Sequence, residues 1–168
     1  HLRDSVDALP VIKAKKVSDL FTKYGVLSKV EVESRAVIFV EKYCKQVAIE
    51  AETMAAMART MYLPAVLQQQ TRMAEAIAAT EAAGIDVDSQ RNTLEDYVEL
   101  VERLTKAVAA IENALDHHSE DPFKHSVQIK KEVKPAMAEL RSAVDALERV
   151  VADELWPVPT YRDLLFIK

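Results

Sequence analysis

The chain has 168 residues, 49 % of them hydrophobic, with a net charge of −5 and a pI near 5.4. That length suits one domain with a real core. Lys and Arg alternate with Asp and Glu and form no basic run, so neither nucleic acid nor an anionic membrane is an expected partner. One cysteine, Cys44, excludes an intramolecular disulfide framework and fits a reducing cytoplasm. No stretch reaches about 18 apolar residues, so no membrane span is expected, and the first residues carry no signal-peptide pattern. The sequence starts without a methionine, as a piece of a longer protein would.

Residues 1–13 read as an irregular linker or arm from an upstream domain. Residues 14–168 read as a single helical-bundle domain. A short helix fits Ala14–Tyr24, with Val17, Leu20 and Phe21 on one face and Gly25 placed to end it in left-handed backbone. Ser28 then begins the longest element. Ser28 and Glu31 have capping-box spacing, in which each side chain accepts from the other's backbone amide. Val32, Ala36, Phe39, Tyr43, Val47, Met54, Met57 and Met61 recur at helical spacing. Pro64 interrupts the pattern. It removes a donor and crowds the preceding turn, which predicts a kink near Tyr62–Leu63 rather than a stop. Gly84 is the next terminator. A helix of about 55 residues would run ~80 Å at 1.5 Å per residue, so it either protrudes or bends into two bundle members.

Asp86–Ser89 supplies a turn with cap candidates. The next helix, Ser89–His118, has a two-residue seam: Leu94, Val101, Val108 and Leu115, with Tyr97, Leu104 and Ile111. Asp121-Pro122 starts the last long helix as N-cap and first-turn proline. Val133, Leu140 and Leu147 continue the seam, flanked by Met137, Val144 and Val151, and Pro135 predicts another bend. Pro157 ends this helix by Trp156, and Thr160 caps a final turn, Tyr161–Phe166. Short connections make successive helices antiparallel. The expected fold is therefore all-α: an antiparallel bundle of long helices, one kinked at Pro64, with a short N-terminal helix and a C-terminal capped turn.

Candidate chemistry is sparse. His117, His118, Glu120, Asp121 and His125 could suggest a metal, but adjacent histidines point to different sides of a helix and a break precedes His125; a polar loop is the plainer reading. A di-iron bundle needs Glu-x-x-His pairs. Ala114, Leu115 and Pro122 stand where those glutamates would be. Cys44 lies near Lys42 and Lys45, but it borders the apolar stripe, as a structural cysteine would. Met54, Met57 and Met61 suit core packing better than an adaptable binding face. With glycine only at 25 and 84, no phosphate-binding glycine loop is possible. The charged helix faces suit solvent first and partner helices second. The C-terminus stands apart, because Trp156, Tyr161, Leu164, Leu165 and Phe166 make an apolar chain end. Such an end either completes the bundle's own core or docks on a neighbour.

Asp7-Ala-Leu-Pro10, Lys23-Tyr-Gly-Val-Leu-Ser28, Glu33-Ser-Arg35 and the stretch Tyr43–Ala51 follow one another in an order that resembles type III glutamine synthetases, in the segment after the catalytic core. Leu63-Pro64-Ala65, Lys134-Pro135-Ala136-Met137 and the ending Asp153–Phe166 resemble the same family. The resemblance implies a cytoplasmic enzyme that ligates ammonia to glutamate with ATP and a divalent metal (Mg or Mn), and that forms stacked ring homo-oligomers. It places the glutamate, nucleotide and metal ligands on an upstream catalytic domain of the same chain. No catalytic, cofactor-binding or metal-binding residue carries over to this segment. The resemblance thus implies a non-catalytic C-terminal domain that supports packing and assembly through Trp156, Tyr161, Leu164, Leu165 and Phe166. The alternative is a free-standing helical interaction or adaptor module.

Overall fold

A computed structural model describes residues 4–117 and 119–165, and these contain helices and turns but no strand. The helices are α1 Ser5–Ala8, α2 Lys15–Lys23, α3 Lys29–Met57, α4 Leu63–Ala82, α5 Asp88–Asp116, α6 Pro122–Gln128, α7 Lys134–Glu148 and α8 Tyr161–Leu165. The chain is an all-α helical bundle. Its contacts resolve two compact units, one of residues 1–52 and 113–135, the other of residues 53–112 and 136–168.

Sequence punctuation appears as local hydrogen bonds. Glu31 donates its amide to Ser28 Oγ at 3.3 Å, and Ser28 donates its own to Glu31 Oε2 at 2.7 Å, completing the capping box before α3. Asp121 Oδ1 accepts from the Phe123 and Lys124 amides ahead of Pro122. Gly25 and Gly84 follow α2 and α4 at φ 64° and 76°. The amides of Val26 and Ile85 reach back to Phe21 and Thr80, as a left-handed helix stop requires.

The prolines give a more specific result than a kink. Helix runs continuously from Lys29 to Ala82, 54 residues. Immediately before Leu63-Pro64 the turn Ala58–Tyr62 is π-helical, and Leu63 donates to the Ala58 carbonyl. The turn Ile129–Val133 before Lys134-Pro135 is also π-helical, and Lys134 donates to Ile129. A wider turn makes room for the proline ring and reassigns the carbonyls that lose their usual partner.

In the unit of residues 1–52 and 113–135, the N-terminal stretch is not irregular. Asp4 caps α1 by accepting from the Val6 amide at 3.0 Å, and Leu9–Lys13 forms a 3₁₀ turn. Val6 is buried, Asp7 pairs with Lys130, and Asp4 pairs with Lys134. The missed signal was the Asp4 cap, because its helix is only one turn long. The buried stripe of α3 also differs from the expected one. It runs through Val32, Ala36, Val40, Cys44, Val47 and Ala51, whereas Phe39 is 44 % exposed and Tyr43 half-buried. Small side chains let the helices approach closely, so alanine holds core positions that a search for large residues passes over. On α2, Leu20 is exposed, and Val17 and Phe21 are no more than half-covered.

In the unit of residues 53–112 and 136–168, α4 and α5 pair antiparallel. Glu81 meets Arg91, the Val66 carbonyl accepts from Tyr97 Oη at 3.0 Å, and Arg59 meets Glu112. Partner numbers rise on one helix as they fall on the other. Burial pushes the Tyr97 hydroxyl up to about 12, so it stays protonated and donates. Tyr97, Val101, Leu104 and Ile111 are buried, and Leu140, Ala143 and Leu147 of α7 also lie in this core. Helix α7 stops at Glu148, short of the expected Trp156. A turn and the 3₁₀ segment Asp153–Leu155 follow. Only Trp156 itself obeys the proline rule directly, with extended backbone at ψ 123°. Beyond this stop Val151 and Trp156 are both buried.

Leu104 is fully buried, so Leu104→Ala should cost about 2–5 kcal/mol in urea unfolding; a loss below about 1 kcal/mol would mean that this core is loosely packed. A second test concerns Asp4. Burial opposes its charge, but the Lys134 ammonium, the Val6 amide and Tyr43 outweigh that and hold its carboxyl below the ordinary 3.8. The contribution to stability is therefore present above that value and is lost as pH falls through the folded-state value. The Val6 amide resonance should lose its capped shift on acidification below pH 3.8. Asp4→Asn should remove that pH dependence.

Candidate docking surface at the C-terminus

The tail residues divide between inside and outside. Trp156 is buried at 8 % exposure, and its ring lies 5.2 Å from that of Tyr62, tilted by 37°. Such aromatic pairs add about 0.5–1.5 kcal/mol beyond their buried area. Tyr161 is 45 % exposed, Leu164 63 % and Leu165 75 %. Phe166 lies outside the described residues.

The end of the chain is held by polar contacts. Thr160 and Asp163 form a second capping box: Asp163 donates its amide to Thr160 Oγ1 at 3.3 Å, and the Thr160 amide donates to Asp163 Oδ2 at 3.0 Å. The Tyr161 amide donates to Glu148 Oε1 at 2.8 Å, which ties α8 back to the last residue of α7. Arg141, itself paired with Asp145, sits 5.5 Å from the centroid of the Tyr161 ring. Burial, then the neighbouring Asp145, holds the Glu148 carboxyl above its ordinary value.

Between these groups is a cleft of about 190 Å³ with Tyr62, Glu148, Trp156, Pro159, Tyr161 and Leu164 in its wall. Of the residues picked from sequence, the structure brings Trp156, Tyr161 and Leu164 together there; Leu165 is not in that wall. Sequence reasoning missed Tyr62, Arg141 and Glu148. The neighbouring Met61 suited the apolar stripe, and no local pattern links residues so far from the tail. Trp156 Nε1 is buried without a hydrogen-bond partner among the described residues. What this surface offers a neighbour is apolar area to bury.

The other candidates separate. Cys44 is buried, its Sγ is 4.0 Å from the Pro122 carbonyl, and burial raises its pKa, so the thiol favours its protonated form and is a slow nucleophile. His117 Nδ1 pairs with Glu132 at 2.9 Å, and His118 lies outside the described residues. Among the described residues no three His, Cys, Asp or Glu side chains converge as a metal site. Both glycines end helices rather than cradle phosphate. Among the described residues neither a glycine loop nor a converging ligand set is present to hold ATP or a divalent metal. No described helix is long and apolar enough to cross a membrane.

A helical bundle that ends in a half-buried aromatic tail is the class of structure in hand, and comparison gives it a family. Residues 1–81 match the family model described as glutamine synthetase C-terminal domain. Over 180 aligned residues the chain is 33 % identical to the type-3 glutamine synthetase of Dictyostelium discoideum, with all of this chain and 24 % of that protein covered. It is 25 % identical to a glutamine synthetase of Bacteroides fragilis over 85 % of this chain and 21 % of that one. For a glutamine synthetase of Butyrivibrio fibrisolvens the identity is 26 %, over 99 % and 24 %. The chain belongs to the C-terminal helical domains of type III glutamine synthetases. It spans about a quarter of the length of these curated relatives.

Trp156 is the only tryptophan, so its fluorescence reports on the tail alone. Trp156→Ala should cost about 3–5 kcal/mol; Leu165→Ser should stay within about 0.5 kcal/mol. Equal losses in thermal or urea unfolding would contradict this division of the tail.

Proposed function

We propose that this chain is a non-catalytic C-terminal domain of a glutamine synthetase, whose work is to pack on the upstream catalytic domain and to support subunit assembly. In this reading the parent is a cytoplasmic ligase of nitrogen metabolism. Its upstream domain joins ammonia to glutamate with ATP and a divalent metal, and its subunits form a homo-oligomer. The observation that carries the reading is the tail. Trp156 seals the unit's own core, while Tyr161, Leu164 and Leu165 stand in solvent on a turn fixed by two polar anchors. A frayed end would not need such anchoring. Exposed aromatic and leucine side chains held in place are what an interface uses, and one such anchor contributes about 2 kcal/mol or more when buried in a partner. The match to synthetases about four times longer favours this over a free-standing adaptor.

Tyr161, Leu164 and Leu165 changed together to Ser in the full-length synthetase should shift its sedimentation toward smaller species; an unchanged profile would overturn the assembly role. The 168-residue chain alone should make no glutamine from glutamate, ammonia and ATP. Turnover by the purified chain would refute the non-catalytic assignment.

A further inference from the structure

The unit of residues 1–52 and 113–135 contains a second cavity, unrelated to the tail. Its volume is about 380 Å³, within the roughly 300–1,000 Å³ of small-molecule sites. The floor is apolar: Cys44, Ala48, Ala114, Ile129 and Val133, all buried except the half-buried Ala48. The mouth is polar and carries Glu41, Lys45, Glu52 and Glu120. None of these four takes part in an ion pair among the described residues, although eleven such pairs occur among those residues. His117 also borders the cavity, but its Nδ1 is engaged with Glu132. Three carboxylates against one ammonium give the mouth a negative field, and Glu41 adds to the burial that keeps the Cys44 thiol neutral.

We propose that this cavity binds a small organic cation: a primary amine on an apolar or aromatic body. The body lies against Ala48, Ala114, Ile129 and Val133, and the ammonium sits in the negative field of the mouth that Glu41, Glu52 and Glu120 line. Charge and shape select this class. An organic anion would meet three carboxylates. A purely apolar molecule would cover these carboxylates and desolvate them without a partner. A metal ion would find no three converging ligands among the described residues. The proposal is independent of the role in assembly, since it uses none of the tail residues.

Phenethylamine and 3-phenylpropionate share an aromatic body and differ in the sign of the charge, so they test it on the 168-residue chain. Phenethylamine should give saturable amide shifts at Cys44, Ala48, Ile129 and Val133 with a Kd of about 1 mM or tighter, and should slow alkylation of Cys44. 3-Phenylpropionate should do neither. The exposed glutamates 41, 52 and 120 changed together to Gln should weaken the amine by about tenfold or more while leaving the circular dichroism unchanged. Ala114→Leu, which fills the floor, should abolish binding. Equal binding of acid and amine, an unaffected triple Gln variant, or no saturable shift with phenethylamine would each overturn the proposal.

Discussion

A proline has no amide hydrogen to donate, and this chain places two of them inside long helices. Much of what distinguishes the structure follows from how the backbone absorbs Pro64 and Pro135. Each is preceded by one π-turn, Ala58–Tyr62 and Ile129–Val133. The residues of those two turns, and the one just after, make the contacts that matter most. Tyr62 stacks on Trp156, and Arg59 meets Glu112. Ile129 and Val133 lie in the floor of the cavity beside Cys44. Lys130 and Lys134 hold Asp7 and Asp4, and Glu132 holds His117. A wide turn spends an extra residue and turns side chains away from the directions that a regular helix would give them.

The forces on the two sides of the tail differ in kind. Trp156 is held by burial and ring packing, which persist in an isolated chain. The Thr160–Asp163 box and the Tyr161–Glu148 bond are short-range polar restraints on an exposed turn. They orient Leu164 and Leu165 without covering them. Surface ion pairs such as Arg72–Glu154 add little, because solvent screens them. The domain thus spends its apolar area on two targets, its own core and a surface left open, and the proposed assembly role rests on the open part.

Helix identity was legible residue by residue wherever a cap, a glycine or a proline marked it. Ser28 with Glu31, Asp121 with Pro122, Gly25, Gly84 and Thr160 all act locally, and the hydrogen bonds they predict are made between residues at most five apart. The seam Tyr97–Leu104–Ile111 was legible because a large apolar side chain at regular spacing has no other use. The α3 stripe was misjudged at Phe39, since alanine and cysteine give a weaker signal than phenylalanine and still fill the closest helix contacts. The Asp4 cap was overlooked because α1 is four residues long and draws its support from Lys130 and Lys134. Helix α7 ends at Glu148, eight residues before Trp156, and no glycine or proline marks that point in the sequence.

The sequence by itself determined an all-α chain, its helix starts and glycine stops, the absence of a phosphate loop, and the family to which the ordered motifs belong. These rest on interactions within a few residues, or on composition. Only the tertiary structure decided that Trp156 turns inward while Tyr161, Leu164 and Leu165 face out. It alone showed that the prolines are absorbed by π-turns, and that Glu41, Glu52 and Glu120 surround one apolar cavity. These depend on pairs separated by dozens of residues, Tyr62 with Trp156 or Glu41 with Glu120. Their meeting is set by how whole helices pack, and no spacing along the chain encodes it.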